Sequence, residues 1–555
     1  MEQKPKLTPL QRFVGLLKLE RKDFLQILYY AIFGGLVSLS VPLGIQAIVN
    51  LMQGARISTS WFVLVVLVTL GVAFVGILQY MQIRILENVQ QKIFTRSSFE
   101  FIYRFPKIKM DQLRNYYPPE LANRFFDVLT IQKGLSKVVI DFPAALVQVV
   151  FGLILLSLYH PFFIIYGLLL VVLIYIGFKI TGKRGMDSSI RESKHKYRIA
   201  HWIQEVARSL MSFKMSGRTN MAINKNDAML SDYLDAREGH FQVLKIQFIQ
   251  LIIFKVLVTA GLLAIGGMLV LNQRMNIGQF VAAEIIILLI IGSFEKIITG
   301  IESFYDVLTS LDKMGQVVDK ELEDQRGEEP FTMGEPLVLE LDGIQYRGFR
   351  EDKILKNITL KINPGEKILL NGPNGSGKST LLKILAGLMQ PDLGDIYIND
   401  ISLKSIKINH YRSLLGQSIT EESPFEGTIL DNITLGDDTV PKADVQWALQ
   451  NTGLLSFVKQ QPQGLHTMIY PEGIQMPYSI SKKLILARAI VRKPSVLLLN
   501  DPLDQLDPTE EKNIMNFLFS KENSWTILVT SRGKRWEKLC DRILTLKNGK
   551  IIPNK

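Results

Sequence analysis

Cysteine is almost missing from this sequence of 555 residues, which contains only Cys540. A single thiol excludes an internal disulfide and a cysteine-based zinc or redox centre, and it fits the reducing conditions of the cytosol. The first 24 residues also lack the small-residue cleavage pattern that follows the short apolar core of a signal peptide. Because they carry several Lys and Arg residues, we interpret residues 1–24 as a cytoplasmic N-terminal segment.

Acidic residues are fewer than basic ones, and the formal net charge is +12, but the distribution of this charge does not indicate nucleic-acid binding. No recognition motif accompanies the basic residues. They are instead concentrated in two long connectors, residues 84–141 and 179–245, which join apolar runs. By the positive-inside rule, these connectors and both termini are cytoplasmic. We therefore predict contact with a lipid bilayer and no nucleic-acid partner.

Long apolar runs are concentrated in the N-terminal half, and each is close to the roughly 20 residues that a helix needs to cross a bilayer. We predict six spans, at residues 25–50, 61–83, 142–160, 161–181, 247–271 and 277–299. Glycine and proline are sparse in the long connectors, which predicts helices that extend from the spans into the cytoplasm. Within the spans, Lys255 and Glu284 are ionisable groups that either pair with each other or line a cavity.

A charged segment containing Gly and Pro, residues 320–336, separates the apolar half from a soluble half and is predicted to be a linker. The predicted domains are therefore a transmembrane domain at residues 25–319 and a soluble domain at residues 337–555. The predicted fold class is an all-α membrane domain of six helices joined to an α/β domain.

The soluble half contains the complete pattern of a phosphate-binding loop. The pattern reads Gly372, Pro373, Asn374, Gly375, Ser376, Gly377, Lys378 and Ser379, and Thr380 follows it. An apolar strand precedes the loop and a helix-like run follows it, which is the context that this motif requires. The glycines let backbone N–H groups approach phosphates, Lys378 can reach the terminal phosphates, and Ser379 can ligate Mg²⁺. This half is therefore predicted to bind a nucleoside triphosphate.

Six spans with two long cytoplasmic connectors, followed by such a domain, resemble a half-transporter of the ATP-binding cassette (ABC) exporter family. In the soluble half the resemblance is carried by residues 338–346, 354–366, 487–490, 496–507 and 541–549. Residues 276–284, which open the sixth span, resemble the exporters of type I secretion and of bacteriocins. The resemblance implies a P-loop NTPase cassette that binds ATP with Mg²⁺ and lies on the cytoplasmic side of the inner or plasma membrane. It also implies a homodimer, or a heterodimer with another half-transporter, and raises a periplasmic adaptor as a partner.

Three positions that act in hydrolysis in this family are altered here. Asn500 stands where an Asp holds Mg²⁺ through water, and Asp501 where a Glu polarises the attacking water. Ser531 replaces a histidine that steadies the γ-phosphate. Asn lacks the charge, Asp is one methylene shorter than Glu, and Ser cannot reach as far as an imidazole. We predict degenerate catalytic positions at Asp501, Asn500 and Ser531, with Ser379 and Asn500 as the candidate metal ligands.

The family's signature, Leu-Ser-Gly-Gly-Gln, is presented by one subunit to the γ-phosphate bound on its partner. It aligns without gaps to residues 476–480 or, after a shift, to residues 478–482, and neither stretch contains glycine. Without glycine the backbone cannot approach the phosphate as closely. The altered catalytic positions and the altered signature are on the same chain. Each site of a dimer combines the catalytic positions of one subunit with the signature of the other, so pairing with an intact subunit would leave each site incomplete.

Two positions have alternative assignments. The glutamine of the family's Q-loop corresponds to Thr420 in an alignment without gaps, or to Gln417 if three residues are inserted. The aromatic residue that stacks on adenine falls near Gly348, so Phe349 or Tyr346 would have to replace it, unless both only pack inside the domain.

Two segments of the connectors resemble the coupling helices that dock on the cassettes. The first is residues 119–127, which include Arg124 and Asp127, and the second is residues 208–217. The alternative is that both are solvated helix ends.

The predicted function is therefore that of an ATP-binding half-transporter that exports a substrate as a dimer and hydrolyses ATP slowly. The alternative is an ATP-binding membrane scaffold, or a nucleotide-sensing regulatory subunit, that transports nothing. The altered catalytic positions motivate this alternative.

Overall fold

The computed structural model describes residues 7–53, 59–348, 352–419, 422–531 and 533–552. Its contacts separate the chain into two compact units. The first contains Met1–Pro106 and Tyr116–Lys320, and the second contains Lys107–Asn115 and Glu321–Lys555. The division at Lys320 lies at the start of the predicted linker, so the rest of that linker belongs to the second unit.

The first unit is built from helices whose sequences are apolar and poor in helix breakers. The α-helices in this part of the chain, together with α5 of the second unit, are α1 (Pro9–Leu19), α2 (Arg21–Ser38), α3 (Ser40–Gln53), α4 (Thr59–Arg104), α5 (Met110–Leu113), α6 (Pro118–Ala122), α7 (Asp127–Ser136), α8 (Phe142–Tyr159), α9 (Phe162–Arg208), α10 (Leu210–Ser216), α11 (Met221–Gly261), α12 (Gly267–Leu271) and α13 (Ile277–Val318). Short π-helices at Lys137–Asp141 and Leu262–Gly266 join neighbouring α-helices. Helix α8 ends just before His160 and Pro161, where proline would interrupt the hydrogen bonding of a continuing helix.

Five helical stretches in the searched, described residues are long and apolar enough to cross a membrane. They are Arg21–Gln53, Thr59–Lys107, Pro118–Tyr159, Met221–Leu271 and Ile277–Val318. The predicted fourth span lies in α9, a helix of 47 residues in which several side chains between positions 166 and 180 lie outside the description. Helix α4, with 46 residues, would be about 70 Å long at about 1.5 Å per residue, whereas the hydrocarbon core is about 30 Å thick. The predicted extension of the spans into the first connector is therefore confirmed for this helix.

One predicted ion pair inside the membrane half is corrected by the structure. The Nζ atom of Lys255 on α11 lies 2.6 Å from Oε2 of Glu295 on α13, and it donates a hydrogen bond there. Glu284, the predicted partner, is exposed eleven positions earlier on α13, about three helical turns away. The pair therefore joins α11 to α13 through Glu295, which offsets the cost of a charge at membrane depth.

The second unit is an α/β domain. Its strands are β1 (Leu339–Arg347), β2 (Lys353–Ile362), β3 (Lys367–Asn371), β4 (Leu393–Ile398), β5 (Ile401–Ser402), β6 (Leu415–Ser418), β7 (Gly427–Thr428), β8 (Met468–Ile469), β9 (Val496–Asn500), β10 (Thr526–Thr530), β11 (Arg542–Lys547) and β12 (Lys550–Ile552). Its other α-helices are α14 (Lys378–Leu385), α15 (Ile408–Ser413), α16 (Ile429–Thr434), α17 (Lys442–Asn451), α18 (Leu455–Gln460), α19 (Tyr478–Ile490), α20 (Pro508–Leu518) and α21 (Lys534–Leu539).

The larger sheet of this unit positions the candidate site. Its strand order is β12-β11-β3-β10-β9-β6, and the five strands from β11 to β6 are parallel. Every residue of β9 and β10 is buried, as expected for central parallel strands that are covered on both faces. Because the strands are parallel, β3, β10 and β9 all end at one edge of the sheet. The same domain contains an antiparallel sheet in the order β2-β1-β4-β5 and a two-stranded antiparallel sheet of β7 and β8.

The segment Lys107–Asn115 comes from the first cytoplasmic connector but folds with the second unit. Ile108 forms an antiparallel bridge with Leu322 of the predicted linker, and the Lys109 amide donates to the Glu321 carbonyl at 3.1 Å. By contrast, Arg124 and Asp127 are buried inside the first unit. The connector segment Lys107–Asn115 is thus part of the second unit, and it precedes residues 119–127, the segment proposed from the sequence.

The segment predicted to be a linker is attached to this domain by an ion pair. The guanidinium of Arg412 donates to both carboxylate oxygens of Glu323, at 2.6 and 2.7 Å, and both side chains are largely buried. Bidentate pairs of this type hold their partners in one orientation. The segment from Glu321 onward is therefore an ordered part of the domain and not a free connector.

Candidate nucleotide-binding site

The phosphate-binding loop joins β3 to α14 in the predicted context. Three of its glycines have positive φ angles: Gly372 at +146°, Gly375 at +75° and Gly377 at +104°. At Gly372 an added Cβ would lie 2.1 Å from the carbonyl oxygen of Leu546 on β11, so no side chain fits there. The backbone follows this path because only glycine combines these torsion angles with such close packing.

The polar groups of the loop fit a chain of phosphates. The Oγ atom of Ser376 is buried and has no hydrogen-bond partner among the described residues. The Nζ atom of Lys378 donates to the carbonyl oxygens of Gly372, at 2.7 Å, and Pro373, at 3.0 Å, which places this cation against the loop. Ser379 lies in the first turn of α14, where free backbone N–H groups favour an anion.

The predicted catalytic positions lie at the same edge of the sheet. Asn500 is the last residue of β9 and is aligned with Thr530, the last residue of β10, and Ser531 follows directly. The amide of Asp501 donates to the carbonyl of Thr530 at 2.8 Å, and Asp501 has a left-handed φ of +43°. The Oγ of Ser531 accepts a hydrogen bond from the amide of Gly533 at 3.3 Å. The fold therefore brings these side chains to the edge where the loop begins.

Asn500 does not provide what a magnesium ion needs. Its side chain is 6% exposed, and its Oδ1 accepts a hydrogen bond from the hydroxyl of Thr530. Magnesium in such sites is held by the hydroxyl of the loop and by a carboxylate at the position of Asn500. Ser379 matches the first requirement, whereas Asn500 carries no negative charge and its oxygen also accepts a hydrogen bond from Thr530. Among the described residues, no group of three or more His, Cys, Asp or Glu side chains could hold a metal ion.

Strand register bears on the two alternatives for the Q-loop position. Gln417 lies on β6 opposite Leu498, and Ser418 lies opposite Leu499. Gln417 is therefore two residues short of the level of Asn500, or about 7 Å at about 3.3 Å per residue. This register favours the alignment without gaps, in which the position falls on Thr420, a residue outside the described part of the chain.

The structure excludes one of the two aromatic candidates for stacking on adenine. Tyr346 is only 2% exposed, within β1, and the guanidinium of Arg114 lies 4.8 Å from the centre of its ring. Burial raises the pKa of its hydroxyl to about 12. A covered ring in the core cannot accept a stacked base, so Tyr346 packs in the domain. Phe349, the other candidate, lies outside the described residues.

The stretch aligned with the family's signature surrounds the start of α19. Pro477 is the N-cap and supplies no side-chain hydrogen bond, and Tyr478 is the first helical residue. The side chain of Tyr478 is 49% exposed. Both alignments therefore place a helix N-terminus where the family has one, but a large aromatic side chain stands beside its free amides. The shifted alignment to residues 478–482 lies entirely within the helix.

Sequence reasoning did not identify Thr530 and Arg114 as parts of this region. Thr530 could have been found from the sequence, because it immediately precedes Ser531 at the end of an apolar strand. If that strand lies parallel to the one that ends at Asn500, their last residues are neighbours. Arg114 could not, because it is far from Tyr346 in the sequence and only the fold of Lys107–Asn115 brings them together.

Comparison with known families identifies both halves of the chain. Residues 24–294 match the family model described as ABC transporter transmembrane region, and residues 355–504 match the family model described as ABC transporter. The fold is similar to that of a bacterial Atm1-family ABC exporter with ATP bound, with a TM-score of 0.84 at 17% identity, covering 96% of this chain and 94% of that one.

Several curated proteins are similar in sequence. The subtilin transport ATP-binding protein SpaT of Bacillus subtilis is 23% identical over 100% of this chain and 91% of its own length. The ATP-dependent lipid A-core flippase of Burkholderia orbicola is 28% identical, covering 51% of this chain and 47% of the flippase. The colicin V secretion/processing protein CvaB of Escherichia coli is 26% identical, covering 51% of this chain and 41% of CvaB. The matches to the flippase and to CvaB thus span about half or less of those proteins.

Proposed function

Because the chain belongs to the ABC transporter family, we propose that it is an exporter half-transporter that binds ATP and works as a dimer. It is a multi-pass membrane protein with a cytoplasmic ATP-binding domain. The observation that carries the proposal is the complete phosphate-binding loop of residues 372–379 on the same chain as helices long and apolar enough to cross a membrane. In this proposal, ATP draws two cassettes together, and the long helices convert that motion into alternating access.

Outward transport across the inner or plasma membrane is supported by the names of the relatives. One is named for transport of subtilin, one for secretion of colicin V and one for flipping of lipid A-core. Both peptide and lipid cargo are therefore consistent with this chain, as is a drug-like molecule. The partner subunit is either a second copy or another half-transporter, and a periplasmic adaptor would be a partner if the cargo is secreted through both membranes.

Hydrolysis is proposed to be slow. The general base position holds Asp501, the γ-phosphate position holds Ser531, and the signature position holds no glycine. Loss of a general base or of a transition-state donor lowers the rate by about 10² to 10⁴ each, although the effects of residues acting together do not simply multiply. Binding is affected less, because the loop amides and Lys378 supply much of the affinity for phosphates.

We propose that Ser379 is the residue through which the loop would hold magnesium. Asn500, the second predicted ligand, does not fit the ion because its amide is uncharged and its oxygen accepts from Thr530. A single hydroxyl is a weak protein ligand for Mg²⁺, which in such sites is usually bound by one or two carboxylates together with the phosphates of the substrate. No step of the proposed cycle is therefore assigned to the metal.

The proposal is tested by measuring ATP binding and ATP turnover of the full chain in lipid nanodiscs, with Lys378→Ala as the blank. We expect the wild type to bind ATP and Lys378→Ala to bind it at least about tenfold more weakly, because a charge-assisted contact to phosphate is lost. We expect the turnover of the wild type to be close to that of the blank. A wild-type chain that binds no ATP would contradict the proposal.

A second candidate is an ATP-binding scaffold or nucleotide-sensing subunit that moves no cargo. The hydrogen bond between Thr530 and Asn500 favours it, since the bond occupies the position that a hydrolytic cassette uses for its metal. In the same nanodisc experiment, ATP binding with no turnover above the blank, and no cargo movement when an intact half-transporter is added, would select this candidate.

A further inference from the structure

The metal side of the candidate site carries one negative charge fewer than the family's pattern. Asn500 is buried at the end of β9, and its Oδ1 accepts a hydrogen bond from Thr530. The amide oxygen has two lone pairs and Thr530 uses one of them, so the side chain offers no negative charge, a partly used neutral oxygen, and an NH₂ group that is a donor only. A donor does not ligate a cation or hold the water that a cation carries, but it can bind a phosphate oxygen.

The phosphate side of the site is complete by contrast. The buried Oγ of Ser376 has no partner among the described residues, and Lys378 lies against the carbonyls of the loop. Free ATP carries about four negative charges when no metal neutralises it. A carboxylate at position 500 would repel this form, and the repulsion would be strong because the position is buried. An amide at position 500 removes that repulsion.

We propose that this cassette binds ATP without requiring a divalent cation, with Asn500 held by Thr530 in place of the metal-binding carboxylate. The inference rests on the proposed function, because it concerns how the same site holds its nucleotide. Asp501, the next residue, is still a carboxylate. Its negative charge limits how much the affinity for free ATP increases. The substitution at position 500 thus does more than weaken hydrolysis, since it also changes which ionic form of ATP is bound.

The test is equilibrium binding of radiolabelled ATP to the full chain in nanodiscs, once with excess Mg²⁺ and once with EDTA. We expect the two dissociation constants of the wild type to agree within about threefold. In Asn500→Asp the added carboxylate should weaken binding in EDTA at least about tenfold relative to binding with Mg²⁺. Asp501→Asn is the matched variant of opposite sign: it removes the neighbouring carboxylate, so we expect it to strengthen binding in EDTA relative to binding with Mg²⁺.

The outcomes separate this inference from the function on which it rests. Wild-type binding that needs Mg²⁺ would overturn the inference and leave ATP binding intact. An absence of binding in both conditions would instead overturn the proposed function. If Asn500→Asp fails to fold, the wild-type ratio still decides the question.

Discussion

The phosphate-binding loop and the ends of β9 and β10 lie at one edge of the same sheet, yet they relate to the ABC family in opposite ways. The loop, residues 372–379, matches the family's pattern at each position and has the positive φ angles that its glycines permit. At the neighbouring strand ends, Asn500 and Thr530 are paired in register, and Asn500, Asp501 and Ser531 stand at the positions where the resemblance predicts other, reactive side chains. On this prediction, binding and hydrolysis depend on different residues of one scaffold, so one can be altered while the other is kept.

The phosphate-binding loop and the end of β9 also differ in how packing and hydrogen bonding constrain their residues. At Gly372 the close approach of Leu546 leaves no room for a side chain, so this position is constrained by packing as well as by phosphate binding. Asn500, in contrast, satisfies its buried oxygen locally through Thr530. A neutral side chain that is hydrogen-bonded costs little to bury, whereas an unpaired carboxylate would cost more. Burying Asn500 at the end of β9 therefore costs the fold little stability.

The largest effect is expected from Gly372→Ala. The added Cβ would meet the Leu546 carbonyl at 2.1 Å, and the φ of +146° is unfavourable for alanine. We expect a loss of about 3 kcal/mol of stability, together with loss of ATP binding. Gly375→Ala is the control, since its φ is also positive, at +75°, but nothing lies within 4 Å of the new atom, so it should cost only about 1 kcal/mol. Thermal unfolding followed by tryptophan fluorescence measures both, and equal losses would show that packing at Gly372 is not the cause.

A smaller effect is expected from restoring the altered edge. We expect Asn500→Asp combined with Asp501→Glu and Ser531→His to raise ATP turnover by no more than about tenfold, because the signature on the other copy is still altered. Replacing residues 476–480 as well with the family's signature should raise turnover by about a further 10²-fold. Steady-state phosphate release in nanodiscs measures this. Full activity from the first set alone would mean that the start of α19 already serves the γ-phosphate despite Tyr478.

The smallest effect is expected from Ser376→Ala. Because the buried Oγ has no partner among the described residues, its removal should leave the melting temperature unchanged or slightly higher. ATP binding should weaken by about fivefold, the value of one hydrogen bond of about 1 kcal/mol. Thr452→Val is the control with the opposite expectation. The Thr452 hydroxyl donates a hydrogen bond to the Ala448 carbonyl at 2.8 Å, and it is not part of the phosphate-binding loop. Its removal should therefore lower stability and leave ATP binding unchanged. A melting temperature that falls in Ser376→Ala would show that the hydroxyl is structural.

Sequence reasoning succeeded where the chemistry is local. The membrane-crossing helices follow from runs of apolar residues, and the loop between β3 and α14 follows from the spacing of its glycines. It failed for contacts between distant positions. Of the two alternatives for Lys255 and Glu284, pairing with each other is wrong, because Lys255 pairs with Glu295. Pairing between α11 and α13 depends on how the two helices are rotated and staggered, which the one-dimensional pattern does not contain.

The sequence by itself determined the order of the two halves, the class of fold and the identity of the phosphate-binding loop. It also determined the residue types at positions 500, 501 and 531, on which the prediction of slow hydrolysis depends. Only the tertiary structure decided that Thr530 engages Asn500, that Tyr346 is covered by Arg114, and that Lys107–Asn115 joins the ATP-binding domain. The physical reason is that hydrogen bonding and burial act between atoms a few ångströms apart, and strands or segments far apart in the chain reach that distance only when the sheet and its neighbours are assembled.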